Sequence, residues 1–344
     1  MNFLVLLAII LLIIAGHQLL RIIELSRDLK KTKEWEITDN DNNMMGKAML
    51  VFMIFFFLFF FWQVERWMER SLPPASSEHG VLVDQLWDAN MYLITVIFLL
   101  TNFFLFWFAY KYRGRSDKKA VYYPHNNKLE LLWTVVPAVA LAFIIIFGLK
   151  YWNDIMEDAT DPDRVIVELY GKQFDWTARY PGKDGKLGET DYRQISGANA
   201  VGMDTTDVMG NDDVLVRNEF HIPVGREVEL HIRSRDVIHS VYLPHFRAQM
   251  NAVPGMITYF KFTPTKTTAE MRKDPYVQEM MAGINRQREK DGNEPVDFDY
   301  TLLCNKICGA SHFNMQMNVV VDTEADYQAW LAKQKAFKTV AVKK

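Results

Sequence analysis

The first 152 residues consist mainly of long apolar stretches separated by short charged segments. Four stretches are long enough to cross a hydrocarbon core, which takes roughly 17–25 helical residues. They are predicted at about residues 3–20, 47–67, 91–111 and 131–151. A leading apolar stretch can also be a cleaved signal peptide, but no basic residue precedes this one and no small-residue cleavage pattern follows it. The pattern therefore predicts an α-helical membrane domain of about four transmembrane helices over residues 1–152.

The charges that flank these stretches predict their orientation. Lysine and arginine are enriched in cytoplasmic connections. The basic residues are Arg21, Arg27, Lys30, Lys31 and Lys33 after the first stretch, and Lys111, Arg113, Arg115, Lys118 and Lys119 after the third. The segment between the second and third stretches is mostly acidic. We therefore expect the first and third connections in the cytoplasm and the chain after Tyr151 on the outer side.

From Arg164 onwards the pattern changes to short runs rich in β-branched and aromatic residues, bounded by turn signals. The runs are Val165–Leu169, Val214–Val216, Val228–Ile232, Ser240–Tyr242, Thr258–Phe262, Tyr300–Leu303 and Gln316–Val321. Seven such runs predict an all-β sandwich with Greek-key connections over residues 153–344. Glu324–Lys335 is predicted to form a closing amphipathic helix.

Two insertions interrupt the strand pattern, at about residues 181–213 and 265–299. The first is rich in Gly, Asp and Thr without sustained periodicity, and the second contains a predicted helix around Tyr276–Glu289. Structureless segments of this length inside a compact domain are uncommon unless they are functional or disordered.

Composition narrows the range of functions. The chain has 344 residues and a formal net charge of -3, which gives no sign of nucleic-acid binding. Its two cysteines, Cys304 and Cys308, are too few for a disulfide framework. The sequence also contains no C-x-x-C-H run for attachment of a c-type haem.

Both cysteines belong to the run C-N-K-I-C-G-A-S-H-F-N-M, which ends at Met315. It places two thiols, the imidazole of His312 and a thioether in one loop after a predicted strand. Soft sulfur ligands combined with imidazole are typical of copper electron-transfer sites. A further strong ligand must come from elsewhere, and His239 in Asp236-Val-Ile-His-Ser offers it at a strand edge.

Other interpretations of this run remain open on the residues alone. A disulfide between Cys304 and Cys308 is conceivable in an oxidising compartment. A structural zinc site fits two cysteines and two histidines but not the adjacent Met315. A Rieske cluster needs two Cys-x-His pairs, which are absent. A mononuclear blue-copper site leaves Cys308 unexplained, whereas a pair of coppers sharing both sulfurs uses every ligand.

From about Met91 to Leu331 the sequence resembles cytochrome c oxidase subunit II, the electron-accepting subunit of respiratory haem–copper oxidases. The resemblance rests on the cysteine run, on the turn Val253-Pro254-Gly255, on the closing Tyr-x-x-Trp-Leu helix, and on Glu130-Leu-Leu-Trp-Thr-Val-Val-Pro137. It implies a cupredoxin-like C-terminal domain with a binuclear copper centre, CuA. By position it implies the metal ligands His239, Cys304, Lys306 (through its backbone carbonyl), Cys308, His312 and Met315.

The resemblance also implies roles for three further residues. Glu130 falls at the cytoplasmic mouth of a proton path into subunit I. Phe174 stands where the family has the tryptophan that accepts electrons from cytochrome c, and Trp176 is a second aromatic residue of that stretch. Lys306 replaces a glutamate that helps to hold magnesium at the subunit I interface, so that a magnesium site is in doubt. Asn251 replaces an aspartate.

The function implied is electron transfer from cytochrome c, or a cytochrome-containing donor complex, to haem in subunit I, where oxygen is reduced and protons are pumped. The expected partners are subunit I, other oxidase subunits and membrane lipids. Three alternative functions are a quinol-oxidase subunit that acts as a scaffold, a membrane-anchored copper carrier and a nitrous-oxide reductase. The full ligand set argues against the scaffold, which lacks copper ligands, and the closed site argues against the carrier, which favours open sites. The Glu130–Pro137 membrane motif favours the oxidase over the reductase. The additional N-terminal spans favour a bacterial plasma membrane, with the C-terminal domain on the periplasmic side.

Overall fold

The computed structural model describes residues 3–29, 37–159 and 161–337. The chain divides into two compact units. One comprises Met1–Glu69 and Leu93–Lys128, and the other comprises Arg70–Tyr92 and Leu129–Lys344. Each unit therefore contains some of the long N-terminal helices, and the second also contains every strand among the described residues.

The described part of the first half of the chain contains four long helices: α1 (Phe3–Leu29), α2 (Asp39–Trp67), α3 (Glu78–Lys111) and α4 (Asn127–Met156). Among the described residues, three helical segments are long and apolar enough to cross a membrane: Asp39–Arg70, Glu78–Lys111 and Asn127–Met156. These three candidate spans overlap the second, third and fourth predicted spans. The predicted first span falls in α1, whose first side chains lie outside the described residues, so a fourth span stays a prediction.

Helices α2 and α3 pack through aromatic side chains within the first unit. The ring centroids of Phe52 and Phe106 lie 5.4 Å apart, and those of Phe60 and Phe98 lie 4.9 Å apart. At Gly46 a Cβ atom would lie 2.8 Å from Cδ of Arg113, so the side chain of Arg113 fits closely over this glycine. The contacts between phenylalanine rings add to the stability of the helix pair beyond the apolar area that they bury.

The C-terminal domain is a sandwich of two five-stranded sheets. The strands are β1 (Val165–Lys172), β2 (Asp175–Tyr180), β3 (Val214–Val216), β4 (Glu219–Pro223), β5 (Val228–Ser234), β6 (His239–Leu243), β7 (Ala248–Ala252), β8 (Thr258–Phe262), β9 (Tyr300–Cys304) and β10 (Gln316–Asp322). Their order is β3-β2-β1-β5-β8 in one sheet and β4-β10-β9-β6-β7 in the other. The pairs β1–β5 and β4–β10 are parallel, and the other neighbours are antiparallel.

Alternating side chains of the two sheets form the core, as the buried positions of β5 show. All seven predicted strands are present, and this sandwich is consistent with the cupredoxin-like fold. The prediction missed β2, β4 and β7. The second insertion contains α5 (Thr268–Met271) and α6 (Pro275–Lys290), which confirms its predicted helix. The closing helix α7 (Glu324–Leu331) ends four residues before the predicted Lys335.

The first insertion folds against the outer face of the first sheet. Val201 and Met203 pack on Tyr170 of β1, and Leu215 of β3 borders this second apolar cluster. Its aspartates shape turns: Asp212 Oδ2 accepts a hydrogen bond of 2.6 Å from the Lys183 backbone N–H. Aspartate and glycine therefore give this segment a defined turn structure without helix or strand periodicity.

A buried arginine joins this insertion to the sheet. Arg179 of β2 is 1% exposed. Its Nε and Nη2 donate to Asp213 Oδ2 at 2.9 and 2.5 Å, and its Nη1 donates to Glu168 Oε2 at 2.9 Å. Nη2 also donates to the carbonyl of Gly188, and Glu168 accepts a further bond from Arg233. Burial raises the pKa of the Asp213 carboxyl, although Arg179 opposes that rise.

The segment before α3 is hydrogen-bonded into the β-domain. The Ser76 backbone N–H donates to the carbonyl of His245 at 2.7 Å, and the Ser76 carbonyl accepts from Thr265 at 2.9 Å. The guanidinium of Arg247 donates to both carboxylate oxygens of Asp84 in α3 and to the carbonyl of Pro73. The start of α3 is therefore held by the domain at several points.

Candidate metal centre

The predicted ligands lie at one end of two neighbouring strands of the second sheet. β6 begins at His239 and β9 ends at Cys304, and these antiparallel strands pair Val241 with Cys304. After Cys304 the chain leaves the sheet and returns at β10, directly after Met315. The β-sandwich thus places a ligand from β6 beside a loop that carries the others.

The structure brings all six predicted ligand groups together. Cys304 Sγ lies 3.9 Å from Cys308 Sγ, 3.8 Å from His239 Nδ1 and 3.3 Å from the Lys306 carbonyl oxygen. Cys308 Sγ lies 3.6 Å from His312 Nδ1 and 3.7 Å from Met315 Sδ. Each sulfur therefore has its own histidine.

This donor set fits a pair of copper ions. The sulfur separation is far longer than the roughly 2.05 Å of a disulfide, and both cysteines are free. Two thiols, two imidazoles, a thioether and a carbonyl form a soft to borderline set that suits copper. The ligand atoms of His239, Cys304 and Cys308 lie within 4.8 Å of one another. Two ions that share both sulfurs use every one of these groups.

Asp236 orients the first histidine. Its Oδ1 lies 2.8 Å from His239 Nε2, so the other ring nitrogen, Nδ1, faces Cys304. Partial burial opposes ionisation of Asp236, but hydrogen bonds from the Gln173 backbone and from His239 outweigh it and lower its pKa. A carboxylate behind a metal-ligating histidine fixes the ring orientation and raises its basicity. The sequence contained a signal for this role in the spacing Asp-x-x-His.

Comparisons with known proteins agree with this arrangement. The family model of the cytochrome c oxidase subunit II transmembrane domain matches residues 65–151, and that of its periplasmic domain matches residues 165–270. The alternative cytochrome c oxidase subunit 2 of Bradyrhizobium diazoefficiens is 32% identical over 294 residues, which cover 85% of this chain and 93% of that protein. The chain belongs to the cytochrome c oxidase subunit II family.

Two further relatives are more distant. Cytochrome c oxidase subunit 2 of Thermostichus vulcanus is 27% identical over 300 residues, covering 79% of this chain and 80% of that protein. A crystal structure of the periplasmic domain of subunit II of cytochrome oxidase from Bradyrhizobium japonicum is 20% identical, with a TM-score of 0.31. This match covers 54% of the present chain and 99% of the Bradyrhizobium japonicum chain. The family assignment rests on the sequence matches.

As a subunit II, the protein is part of an oxidase, anchored in a membrane by apolar helices and carrying a periplasmic domain. The matched stretches end at residue 270, before the cysteine loop. The candidate metal site in the cysteine loop therefore rests on the geometry of its side chains.

Two aromatic residues of the β1–β2 hairpin contact different sides of the ligand set. Trp176 is fully buried, and its ring centroid lies 5.9 Å from that of His239. Phe174 is half-buried, and a Cβ atom on Gly309 would lie 2.8 Å from its ring. Phe174 is therefore the residue of this pair that reaches both the surface and the cysteine loop.

The remaining candidate residues lie apart from the sulfurs or face outwards. Glu130 lies in the first turn of α4 and is exposed. The side chain of Lys306 is exposed although its carbonyl points to Cys304. Ile307 and Phe313, next to the candidate ligands Cys308 and His312, are each 86% exposed.

Copper loading of subunit II is expected to strengthen as the pH rises. Burial, together with the neighbouring Cys304, raises the pKa of the Cys308 thiol to about 11. The metal-free thiol is therefore protonated at neutral pH, and binding must release its proton. Copper titrations of the full chain between pH 6 and pH 9 should show an apparent affinity that increases with pH. An affinity independent of pH would contradict a thiolate ligand at this position.

Proposed function

We propose that this subunit II chain holds a binuclear CuA centre through His239, Cys304, Cys308, His312, Met315 and the Lys306 carbonyl. The arrangement that supports the proposal is the pair of sulfurs 3.9 Å apart, each with its own histidine. When bound, the copper pair supplies a one-electron carrier. The chain then accepts electrons from cytochrome c, or a cytochrome-containing donor complex, and passes them to haem in subunit I for oxygen reduction coupled to proton pumping.

The protein contributes a rigid frame for this step. The Cys304 backbone N–H donates to the carbonyl of Met315, and that of Asn305 donates to Ser240 beside His239. Cys304, Cys308 and Met315 are all buried. Ligands fixed in this way need little rearrangement when the metal gains or loses an electron, which favours fast transfer.

The surroundings of the site support the partners proposed for it. We assign the exposed apolar residues Ile307 and Phe313 to contact with subunit I and the half-buried Phe174 to the donor side. Lys306 brings no carboxylate, so no magnesium site is proposed at this interface. Glu130, at the start of α4, is proposed at the mouth of a proton path.

The proposed location is a bacterial plasma membrane. The apolar faces of the three candidate spans are exposed, which suits contact with lipids and with other oxidase subunits. A fourth span within α1 belongs to the same proposal. Long apolar helices satisfy their own backbone hydrogen bonds, as a bilayer requires.

Low-temperature EPR with copper quantification on the full chain in detergent tests this function. Two coppers per chain that share one unpaired electron are expected. One copper per chain would indicate a mononuclear site, and none would indicate a scaffold without electron transfer. The metal-free chain, prepared with a chelator, serves as the matched control.

A further inference from the structure

The tip of the β1–β2 hairpin contacts both segments that carry the candidate ligands. The backbone N–H of Gln173 donates to Asp236 Oδ2 at 2.9 Å, and Asp236 Oδ1 in turn holds His239. The side-chain Nε2 of the same glutamine donates to the backbone carbonyl of Cys308. One residue outside the ligand set therefore bridges the histidine segment and the cysteine loop.

Cys308 lies where the sheet no longer supports the chain. β9 ends at Cys304, and the next strand of this sheet begins at Gln316. Between them, the backbone bonds from His312 to Gly309 and from Met315 to His312 are local turns. The bond from Gln173 comes from the other sheet and restrains the peptide of Cys308 directly.

The fit between the hairpin tip and the loop is close. Gly309 has a φ of 146°, in the region that favours glycine. A Cβ atom there would lie 2.8 Å from the ring of Phe174 and 2.9 Å from Nε2 of Gln173. Gly309 therefore lets the loop approach the hairpin closely enough for the amide to reach the Cys308 carbonyl.

We propose that Gln173 is a positioning residue for the metal pair, which holds Cys308 and, through Asp236, His239 in a fixed relation. The inference rests on the proposed CuA function. Cys308 Sγ contacts the ligand atoms of Cys304, His312 and Met315 at 3.6–3.9 Å. A rotation of the Cys308 peptide changes all three separations. Gln173 thus controls the electronic structure of the centre and its hold on copper without ligating it.

Gln173→Leu removes the amide donor and keeps a side chain of similar volume. In the copper-loaded full chain it is expected to release copper to a chelator about 10–100-fold faster than the wild type, the usual effect of losing a partner that orients a ligand. Its copper hyperfine splitting and midpoint potential should also shift. Gln173→Glu keeps the length of the side chain but lacks its amide N–H groups, and the same shifts are expected. Gln249→Leu, at an exposed position of β7, is the matched control and should match the wild type.

Wild-type release rates and an unchanged spectrum in Gln173→Leu would overturn the inference. So would a variant whose only change is a lower unfolding temperature of the metal-free chain, because the residue would then be purely structural. If the wild type itself fails to bind two coppers, the proposed function fails. Failure confined to the Gln173 variants leaves that function intact and separates the two ideas.

Discussion

Replacing Cys308 with serine is expected to remove the copper pair and to lower donor-driven oxygen consumption by about 100-fold or more. Partners that merely orient a ligand cost roughly 10–100-fold in metal affinity, and Cys308 is itself a proposed bridging ligand. Its Sγ lies within 3.9 Å of the ligand atoms of Cys304, His312 and Met315. A serine hydroxyl is a hard, protonated group that binds copper poorly in place of a thiolate. Copper content, EPR and oxygen uptake of the assembled oxidase measure the effect.

The control for this substitution is Ala310→Ser, which introduces the same hydroxyl at an exposed position of the same loop. It should keep both coppers and full turnover. Membrane insertion of Cys308→Ser should also remain normal, since the site lies outside the candidate spans. Full copper content and turnover in Cys308→Ser would contradict the assignment of CuA to this loop.

Arg179→Met is expected to destabilise the β-domain by about 3–5 kcal/mol, the usual cost of removing one partner from a buried ion pair. The substitution leaves Asp213, which is fully buried, and Glu168 without the cation between them. It also removes the bond to Gly188 that ties down the first insertion. Chemical unfolding of the full chain in detergent, followed by tryptophan fluorescence, measures the change.

The loss of folding stability caused by Arg179→Met should grow as the pH rises. Burial already raises the pKa of Asp213 in the wild type, and loss of Arg179 raises it further. A carboxyl group whose pKa is higher in the folded than in the unfolded chain stabilises the folded state at low pH. This stabilisation is lost as the pH rises through the pKa of the folded state. Arg193→Met, at a side chain 74% exposed, is the control and should change stability by less than about 0.5 kcal/mol. Equal stability of the two variants would contradict the role given to Arg179.

The features that the sequence predicted are those with a local signature. Membrane spans follow from composition alone, and the cysteine loop places its ligands within a few residues. Strand β7 was missed because Ala248–Ala252 contains no β-branched or aromatic residue. Strand β4 was missed because it ends at Pro223, and proline weakens the sequence signal of a strand. Proline is tolerated here because β4 lies at the edge of its sheet.

Other features depend on contacts between distant segments and left no local pattern. Arginine is rarely fully buried, so nothing near Arg179 predicted that it would cross from β2 to the insertion. The partner of Gln173, Cys308, lies 135 positions away along the chain. The first insertion showed no sustained periodicity, whereas several of its aspartates accept hydrogen bonds from backbone N–H groups at turns. Only the folded arrangement gives these side chains their roles.

The hydrogen bonds of Ser76 and Ser77 also constrain how the protein is made. Ser77 Oγ donates to the carbonyl of Phe246, which the ribosome adds 169 residues later. In the topology predicted for this chain, the short segment before α3 therefore meets its partner only after two more helices are inserted and most of the β-domain is translocated. Once the domain closes on this segment, α3 and α4 are each fixed to it at their outer ends. In that topology a folded domain on the outer side opposes withdrawal of either helix through the membrane, because the polar domain would have to unfold first.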